Sequence, residues 1–142
     1  MLRSDRQPEH EVTTYFDTPA GDLLRQAFSL RVRVIGTQRV QTLKLRGDQA
    51  GPFARGEWEW PVGSDRPDLD LLADTPAASL LQAKELEPVF TTDVQRSVRT
   101  VQQDGATIEV AVDRGRVIAG GTAEEIREVE LELKAGDPEP MY

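Results

Sequence analysis

Charged and apolar residues alternate with a period of two along most of this chain. In RVRV, at residues 31–34, two arginines alternate with two valines, and the same period recurs in TLKLR, EWEW, IEVAVD and EVELELK. Because successive side chains of a β-strand point to opposite faces, this period predicts strands with one charged and one apolar face. Short turns such as GTQ and QDG separate neighbouring runs, which is typical of antiparallel hairpins.

The sequence predicts about seven strands and one main helical region in a single domain over residues 1–142. The strands are expected within 11–18, 29–36, 39–47, 55–62, 93–102, 106–120 and 127–136. The helical region is expected at 75–87, where Thr75 is a candidate N-cap and Pro76 takes the first helical position. This order of elements predicts an all-β or α+β barrel or sandwich.

The charges on the polar strand faces are segregated by sign. Cations occupy the segment 31–46, whereas carboxylates occupy 57–59 and 128–132. The simplest interpretation is a sheet with an apolar core face and a solvated charged face. The separation by sign, with 30% charged and only 38% hydrophobic residues, favours instead a barrel whose charged face lines a lumen. Such a lumen requires paired charges or a ligand, because unpaired buried charges are costly.

A polyanion that carries a divalent cation would satisfy both signs of charge. Arginine and lysine bind phosphate oxygens, and carboxylates bind Mg²⁺ or Mn²⁺, which prefer oxygen ligands. The candidates for the lumen are seven carboxylates and seven cations: Glu57, Glu59, Glu109, Asp113, Glu128, Glu130 and Glu132, and Arg31, Arg33, Lys44, Arg46, Arg55, Arg96 and Lys134. The sequence therefore predicts a phosphate clamp inside a β-barrel.

Composition excludes several classes of function. The chain has no cysteine and only one histidine, so thiolate catalysis and nucleophile–histidine systems are ruled out or disfavoured. A net charge of −8 and a pI near 4.7 argue against attraction to nucleic acid or anionic membranes. No segment has the length and hydrophobicity of a membrane span or a signal peptide, so we expect a cytoplasmic protein.

Three polar features are expected to be structural. His10 lies in a polar lead segment, which favours a solvated loop over a ligand or a base. Asp68, Asp70 and Asp74 have a spacing that resembles a calcium loop, but the glycine and final glutamate of that motif are missing. We therefore expect these aspartates to cap a short helical turn. The segment 21–28 fits either a helical turn or an irregular connection.

Seven short motifs resemble a known family when they are taken in order. They are TTYFDTP, SLRVR, QTLKLRG, RGEWEW, FTTDVQR, IEVAVDRG and EVELELKAGD. Their order and spacing over nearly the whole chain resemble the CYTH domain of the triphosphate tunnel metalloenzymes, in particular bacterial inorganic triphosphatases in which a CHAD domain follows. The resemblance implies a closed or nearly closed antiparallel barrel of eight strands with a few flanking helices. It also implies hydrolysis of triphosphates that depends on Mg²⁺ or Mn²⁺.

The resemblance implies roles for individual residues. Phosphate binding is implied for Arg31, Arg33, Lys44, Arg55 and Arg96. Catalytic roles are implied for Glu57, Glu59, Asp113 and Glu130, and metal binding for these four and Glu128. Positions around the site or at the tunnel mouth are implied for Arg46, Glu109, Glu132 and Lys134. Arg99 falls on the opposite strand face from Arg96, so we expect it in an external salt bridge.

The first dozen residues depart from the family pattern. The family's first strand reads Glu-x-Glu-x-Lys and supplies metal ligands and a lysine, and no such strand precedes TTYFDTP here. Glu9 and Glu11 have the Glu-x-Glu spacing but fall at the approach to the second strand, so we do not assign them to the site. Arg116 stands where relatives often carry an acid. We therefore expect a domain truncated at both ends that binds polyphosphate better than it hydrolyses it.

The function that these features predict is metal-dependent hydrolysis of a small-molecule triphosphate. Inorganic triphosphate, thiamine triphosphate and nucleotides all remain open as substrates. The alternatives are a non-catalytic polyphosphate- or nucleotide-binding module and an adenylate cyclase of the same family. A barrel without its first strand exposes two strand edges, which predicts self-association through those edges.

Overall fold

The computed structural model describes residues 2–4, 8–46 and 56–135 of the chain. Eight β-strands lie in these segments: β1 Leu2–Ser4, β2 Glu9–Asp17, β3 Phe28–Ile35, β4 Gln38–Leu45, β5 Glu57–Pro61, β6 Glu87–Gln103, β7 Ala106–Ala119 and β8 Thr122–Ala135. Helical structure in the described segments consists of α1 Asp22–Arg25 and two 3₁₀ turns, Leu69–Leu72 and Ala78–Leu80. None of these helices is long and apolar enough to cross a membrane.

All eight strands belong to one antiparallel sheet with the order β5-β4-β3-β2-β6-β7-β8. β1 and β2 both pair with β6, β1 with residues 99–101 and β2 with residues 87–96. Within the described residues, hydrogen bonds do not join the edge strands β5 and β8. The prediction of a mainly antiparallel β protein is therefore confirmed. Of the two expected forms, a closed and a nearly closed barrel, the structure shows the nearly closed one.

One face of strands β2 to β5 forms the hydrophobic core. Phe16, Leu30, Val32 and Leu43 come from the strands, and they are at most 5% exposed. They pack against Leu23, Leu72, Ala77, Leu81 and Leu86, which come from α1 and from the connection between β5 and β6. Burial of one Leu, Val or Phe side chain stabilises a fold by roughly 1.5–3 kcal/mol. The apolar positions of the two-residue period are therefore the core face, and the charged positions lie opposite.

The prediction of one helix at 75–87 is wrong. Within this range the chain forms the 3₁₀ turn Ala78–Leu80, and the other 3₁₀ turn, Leu69–Leu72, precedes it. Thr75 Oγ1 donates a hydrogen bond to the Leu72 carbonyl oxygen at 2.7 Å. Ala77 and Leu86 are both buried in the same cluster, but they would point to opposite sides of a continuous α-helix. Ala83, with φ of 55°, breaks the helical conformation between them.

Asp68, the first of the three aspartates in the connection between β5 and β6, behaves as a capping residue. The Asp68 carboxylate accepts a hydrogen bond from the Asp70 backbone N–H at 3.0 Å, at the start of the turn Leu69–Leu72. The expected short turn capped by an aspartate is therefore confirmed for Asp68.

Asp17 in the motif TTYFDTP has a structural role at the end of β2. Its carboxylate accepts hydrogen bonds from the backbone N–H groups of Thr18, Leu23 and Leu24, at 2.7, 2.9 and 3.2 Å. These contacts attach α1 to the sheet, and Asp17 itself is only 8% exposed. A carboxylate that accepts several backbone N–H groups at a helix start satisfies donors that the short helix leaves free.

His10 lies in β2, so the expectation of a solvated loop is wrong. Its Nε2 atom lies 2.5 Å from Asp93 Oδ1 on the neighbouring strand β6. The side chain is exposed and lies on the opposite strand face from its neighbour Glu11.

The strand β8 is an exposed edge of the sheet. Val129 and Leu131 are 65% and 63% exposed, while their strand neighbours Glu128 and Glu130 lie on the other face. Edge strands with apolar residues favour pairing between chains. Self-association of the chain through exposed strand edges such as β8 stays a prediction.

We predict that Gly115→Ala destabilises the fold, because β6 and β7 approach closely at this residue. A Cβ atom on Gly115 would lie 2.0 Å from the Asp93 carbonyl oxygen and 2.8 Å from Val94 Cα, both of them backbone atoms. Forcing an extra carbon into such a contact costs about 1–3 kcal/mol. Urea unfolding of the two proteins measures this loss in the free energy of unfolding.

The matched control for this substitution is Gly63→Ala. A Cβ atom on Gly63 meets no described atom within 4 Å. The control is expected to unfold with the same midpoint as the wild type. Equal midpoints for the two variants would contradict the close approach at Gly115.

Candidate functional site

The charged side chains of the strands lie together on the sheet face opposite the core, which we call the charged face. Directly paired residues of neighbouring strands share a face, and the register therefore connects the charged positions. Lys44 pairs with Glu57, Arg96 with Asp113 and Asp113 with Glu128. The charged face carries Glu9, Glu11, Arg31, Arg33, Lys44, Glu57, Glu59, Arg96, Glu109, Asp113, Glu128, Glu130, Glu132 and Lys134.

An arginine–carboxylate cluster lies at the centre of this face. Arg96 donates two parallel hydrogen bonds to Asp113, Nε to Oδ1 and Nη2 to Oδ2, both at 2.8 Å. Arg33 Nε donates to Thr13 Oγ1 at 3.0 Å. The Glu11 carboxylate lies between the two arginines, with Oε1 3.6 Å from Arg33 Nε and Oε2 3.6 Å from Arg96 Nε. These five side chains come from β2, β3, β6 and β7 and form what we call the arginine cluster.

The pairing of Arg96 with Asp113 changes the pKa of both groups. The hydrogen bonds from Arg96 lower the Asp113 pKa, and the charges of Arg96 and Arg33 act in the same direction against the effect of burial. The hydrogen bonds to Asp113 raise the pKa of Arg96, and the nearby charges of Asp113, Glu11 and Glu130 add to this. Asp113 is therefore ionised and Arg96 charged at neutral pH.

Three cavities lie along the charged face. The central cavity has a volume of about 280 Å³ and is lined in part by Glu11, Arg33, Arg96, Asp113 and Glu128. A second cavity of about 530 Å³ shares Glu11 and Arg96 with the first and continues along the acidic residues Glu9, Glu109, Glu130 and Glu132. A third, of about 660 Å³, lies at the β4–β5 edge and is lined by Lys44, Arg46, Glu57 and Glu59 among others.

The structure distributes the predicted site residues among these cavities. Arg33, Arg96, Asp113 and Glu128 meet at the central cavity, Glu130 lines the second, and Lys44, Glu57 and Glu59 line the third. The predicted catalytic carboxylates therefore do not surround one point. The functional roles assigned to these residues stay predictions.

Arg31 lies on the charged face between Tyr15 of β2 and Thr42 of β4, its partners in the register. Its Nε atom is buried and has no hydrogen-bond partner among the described residues. Such a donor is costly unless a ligand or water satisfies it. Arg55, the fifth predicted phosphate ligand, lies outside the described residues.

Lys134 is predicted near the site, and Arg99 is predicted outside it. Lys134 Nζ lies 3.2 Å from Glu132 Oε2 and 3.9 Å from Glu109 Oε1, on the charged face. Arg99 lies on the opposite face from Arg96, as expected, but the expected salt bridge of Arg99 does not occur within the part of the chain that the structure describes. Arg116 is the register partner of Asp93 in β6 and of Glu125 in β8, on the sheet face opposite the charged face.

Glu11 is not among the site residues predicted from the sequence, but it lies in the arginine cluster. Its side chain is only 13% exposed, and it borders two cavities. The signal was present in the sequence, because Glu11, Thr13 and Tyr15 follow the same two-residue period as the other strands. All three residues line the central cavity. The family pattern points away from Glu11, because its position falls at the approach to the second strand of that pattern.

The described residues contain the oxygen donors that Mg²⁺ and Mn²⁺ prefer, but no three carboxylate or histidine groups among them converge on one point. Glu11 and Asp113 are in contact with arginines. Glu128 lines the same cavity without an ion pair to another described residue. The chemistry of the donors fits a divalent cation if the substrate supplies further oxygen ligands.

The fold and the charged face define a class of antiparallel β proteins that enclose a mixed arginine and carboxylate surface. The CYTH domain family matches residues 3–140, and this chain belongs to that family. The resemblance carried by the seven sequence motifs is therefore confirmed.

A relative from Haemophilus influenzae, named inorganic triphosphatase, is 33% identical over 131 residues. The match covers 91% of this chain and 37% of that protein, so the chain spans little more than a third of the length of this relative.

Two solved structures share the fold. A protein of Bacillus halodurans, described as a candidate adenylate cyclase, superposes with a TM-score of 0.54 at 18% identity, over 91% of this chain and 67% of its own. A candidate adenylyl cyclase from Hippeastrum, reported to have a dominant triphosphatase activity, gives a TM-score of 0.50 at 18% identity, over 97% and 71%. At these identities the likeness shows the fold alone.

We predict that Asp113→Asn lowers stability at neutral pH and that this loss shrinks in acid. Because the folded-state pKa of Asp113 is lowered, its carboxylate stabilises the fold above the ordinary aspartate pKa of about 3.9. This contribution disappears as the pH falls from about 4 through the lowered pKa. Thermal unfolding of both proteins at several pH values between about 7 and 2 measures the difference in Tm.

The control for this series is Asp104→Asn, in the turn between β6 and β7. Asp104 is exposed and makes no ion pair with the described residues, so its curve is expected to parallel that of the wild type. If the Asp113→Asn deficit stays constant with pH, the pair with Arg96 is not the cause.

Proposed function

We propose that this domain binds a triphosphate on its charged face and hydrolyses it with the help of a divalent cation. The observation that carries the proposal is the convergence of Arg33 and Arg96 on a single carboxylate, that of Glu11, at 3.6 Å from each. Two guanidinium groups from strands β3 and β6 can thus hold one anionic group between them. Membership of the CYTH family and the name of the Haemophilus influenzae relative support a triphosphate as that anion.

The cations of the charged face would bind the phosphates that do not react. Arg33 and Arg96 hold one phosphate, and the unpartnered Nε of Arg31 supplies a further donor along the same face. Each hydrogen bond to a charged group contributes about 1.5–3 kcal/mol. Because phosphoryl transfer depends mainly on positioning and on charge neutralisation, such a row of cations provides much of what the reaction needs.

Mg²⁺ or Mn²⁺ is the cofactor that this proposal includes. Asp113 and Glu128 are direct partners across β7 and β8 and line the same cavity, so they are the first candidates to hold the ion. Mg²⁺ in proteins is commonly held by one or two carboxylates together with phosphate oxygens and water. When bound, the ion neutralises phosphate charge and lowers the pKa of a bound water.

The other predicted metal ligands line different cavities from this pair. Glu130 lines the second cavity, and Glu57 and Glu59 line the third. We propose that Glu130, which lies close enough to Arg96 to raise its pKa, orients the attacking water and accepts its proton.

We predict that Arg33→Ala mainly weakens substrate binding. The loss of one charge-assisted contact of about 1.5–3 kcal/mol corresponds to an increase in KM of about 10- to 100-fold. Phosphate release from inorganic triphosphate, followed at varied substrate concentration, separates KM from kcat. Arg114→Ala is the control, because Arg114 is exposed and lies on the opposite face of β7 from Asp113. Equal KM increases in both variants would show that net charge, rather than the cluster, is responsible.

We predict that Glu130→Gln abolishes metal-dependent turnover and leaves the fold intact. The change removes a base and a potential cation ligand but keeps the size of the side chain. Phosphate release at limiting Mg²⁺ gives the activity, and circular dichroism with thermal unfolding checks the fold. Glu125→Gln, at another exposed position of β8, should retain activity. Full activity of Glu130→Gln at limiting metal would rule out this role.

A non-catalytic polyphosphate-binding module is the second candidate function. It is favoured by the absence of three converging acidic groups among the described residues and by the arginine contacts of Glu11 and Asp113. A panel of inorganic triphosphate, thiamine triphosphate and ATP distinguishes a triphosphatase from a binding module. Each compound is assayed for binding and for phosphate release, with and without Mg²⁺. Binding without release in every condition identifies a binding module.

Adenylate cyclase activity receives no specific support from the described residues, because the structural likeness to candidate cyclases is one of fold. The ATP arm of the same panel tests it through cyclic nucleotide formation. The CHAD domain, the cytoplasmic location and the identity of the triphosphate stay predictions.

A further inference from the structure

Glu11 holds an unusual position among the carboxylates of the charged face. Its two oxygens face two different arginines, with Oε1 3.6 Å from Arg33 and Oε2 3.6 Å from Arg96. The neighbouring acid Asp113 forms hydrogen bonds of 2.8 Å to Arg96. Glu11 therefore lies where an anion would be held by two guanidinium groups, and it does so without a short hydrogen bond to either of them.

The distances show that Glu11 is held weakly. A separation of 3.6 Å is longer than the 2.7–3.2 Å that is usual for an N–H···O hydrogen bond. The side chains of Arg33 and Arg96 are 34% and 36% exposed, so water reaches both guanidinium groups and screens their attraction for the Glu11 carboxylate, which is 13% exposed. A carboxylate that is close but weakly held can leave its position when a more highly charged anion arrives.

The location of Glu11 adds a second observation. Glu11 and Arg96 are the two residues that border both the central cavity and the acidic second cavity. The carboxylate thus lies at the junction of the two spaces, on the path along the charged face. An anion that extends from one cavity to the other must pass this pair.

We infer that Glu11 is an internal competitor for the phosphate-binding position of Arg33 and Arg96. This inference rests on the proposed function, since it concerns the affinity of the same site. In the absence of ligand the Glu11 carboxylate neutralises both arginines, and a phosphate group displaces it on binding. Glu11 thus sets the affinity of the site: it weakens the binding of every anion by a similar factor, and only ligands that gain further contacts along the face still bind well.

The same competition acts on the product. After hydrolysis, orthophosphate retains only the contacts at one position, and the returning Glu11 carboxylate favours its release. Removal of the Glu11 charge should therefore strengthen orthophosphate inhibition as well as triphosphate binding.

Isothermal titration calorimetry with inorganic triphosphate and with orthophosphate tests the inference directly. The titrations use the full chain in EDTA, so that no divalent cation contributes. Glu11→Gln is expected to bind both anions about 10-fold more tightly than the wild type, because it lacks both the ion pairs that an anion must displace and the repulsion between the Glu11 carboxylate and the anion. Glu11→Asp keeps the charge but withdraws it by one methylene, and it should fall between the two. Glu125→Gln removes a charge from an exposed position of β8 and should match the wild type.

The outcomes separate the inference from the proposed function. Unchanged or weaker binding by Glu11→Gln, with normal binding by the wild type, overturns the inference and leaves the proposed function standing. Failure of the wild type to bind triphosphate with or without Mg²⁺ overturns the proposed function. If Glu11→Gln does not fold, as judged by thermal unfolding, Glu11→Asp carries the test, and affinity no tighter than the wild type then overturns the inference.

Discussion

The burial of one face of strands β2 to β5 constrains the rest of this structure. Leu30, Val32 and Leu43 are almost fully buried against the connection between β5 and β6. Because strand side chains alternate, burial of these residues turns Arg31, Arg33 and Lys44 to the other face. A shift of the register by one residue would place arginines in the core and valines on the charged face, at a cost of several kcal/mol for each buried charge. The hydrophobic core therefore sets the positions of the cations.

Mutual neutralisation makes the charged face stable before any ligand binds. Arg96 is held by Asp113 through two short hydrogen bonds, and the same arginine lies near Glu11. Fork-like pairing is the strongest form of arginine–carboxylate contact, whereas the looser contact with Glu11 costs little to break. The face thus contains one fixed pair, which orients the guanidinium group, and one exchangeable pair, which a polyanion can replace. This division between orientation and exchange is what the proposed function requires.

The two halves of the sheet differ in how the face opposite the charged face is covered. In β2 to β5 this face packs against α1 and the two 3₁₀ turns, while β8 exposes Val129 and Leu131 at the edge of the sheet. The carboxylates of β8, among them Glu128 and Glu130, are correspondingly exposed. The cationic half of the charged face is therefore built on a packed core, and the acidic half lies on a strand with less support.

The sequence by itself determined the strands, their charged and apolar faces, and the family, because a two-residue period and the order of motifs are local properties of the chain. It also indicated Arg33, Arg96, Asp113 and Glu128, whose meeting at the central cavity follows from their strand faces and the register.

Only the tertiary structure decided that the connection after β5 forms 3₁₀ turns, since residues as far apart as Ala77 and Leu86 are buried in one cluster. It alone placed Glu11 between two arginines, because that position depends on the pairing of β2 with both β3 and β6. It also separated Glu57 and Glu59 from the central cavity, since β5 lies at the opposite edge of the sheet from β8. Contacts between distant strands are set by packing and register, and no local pattern in the chain records them.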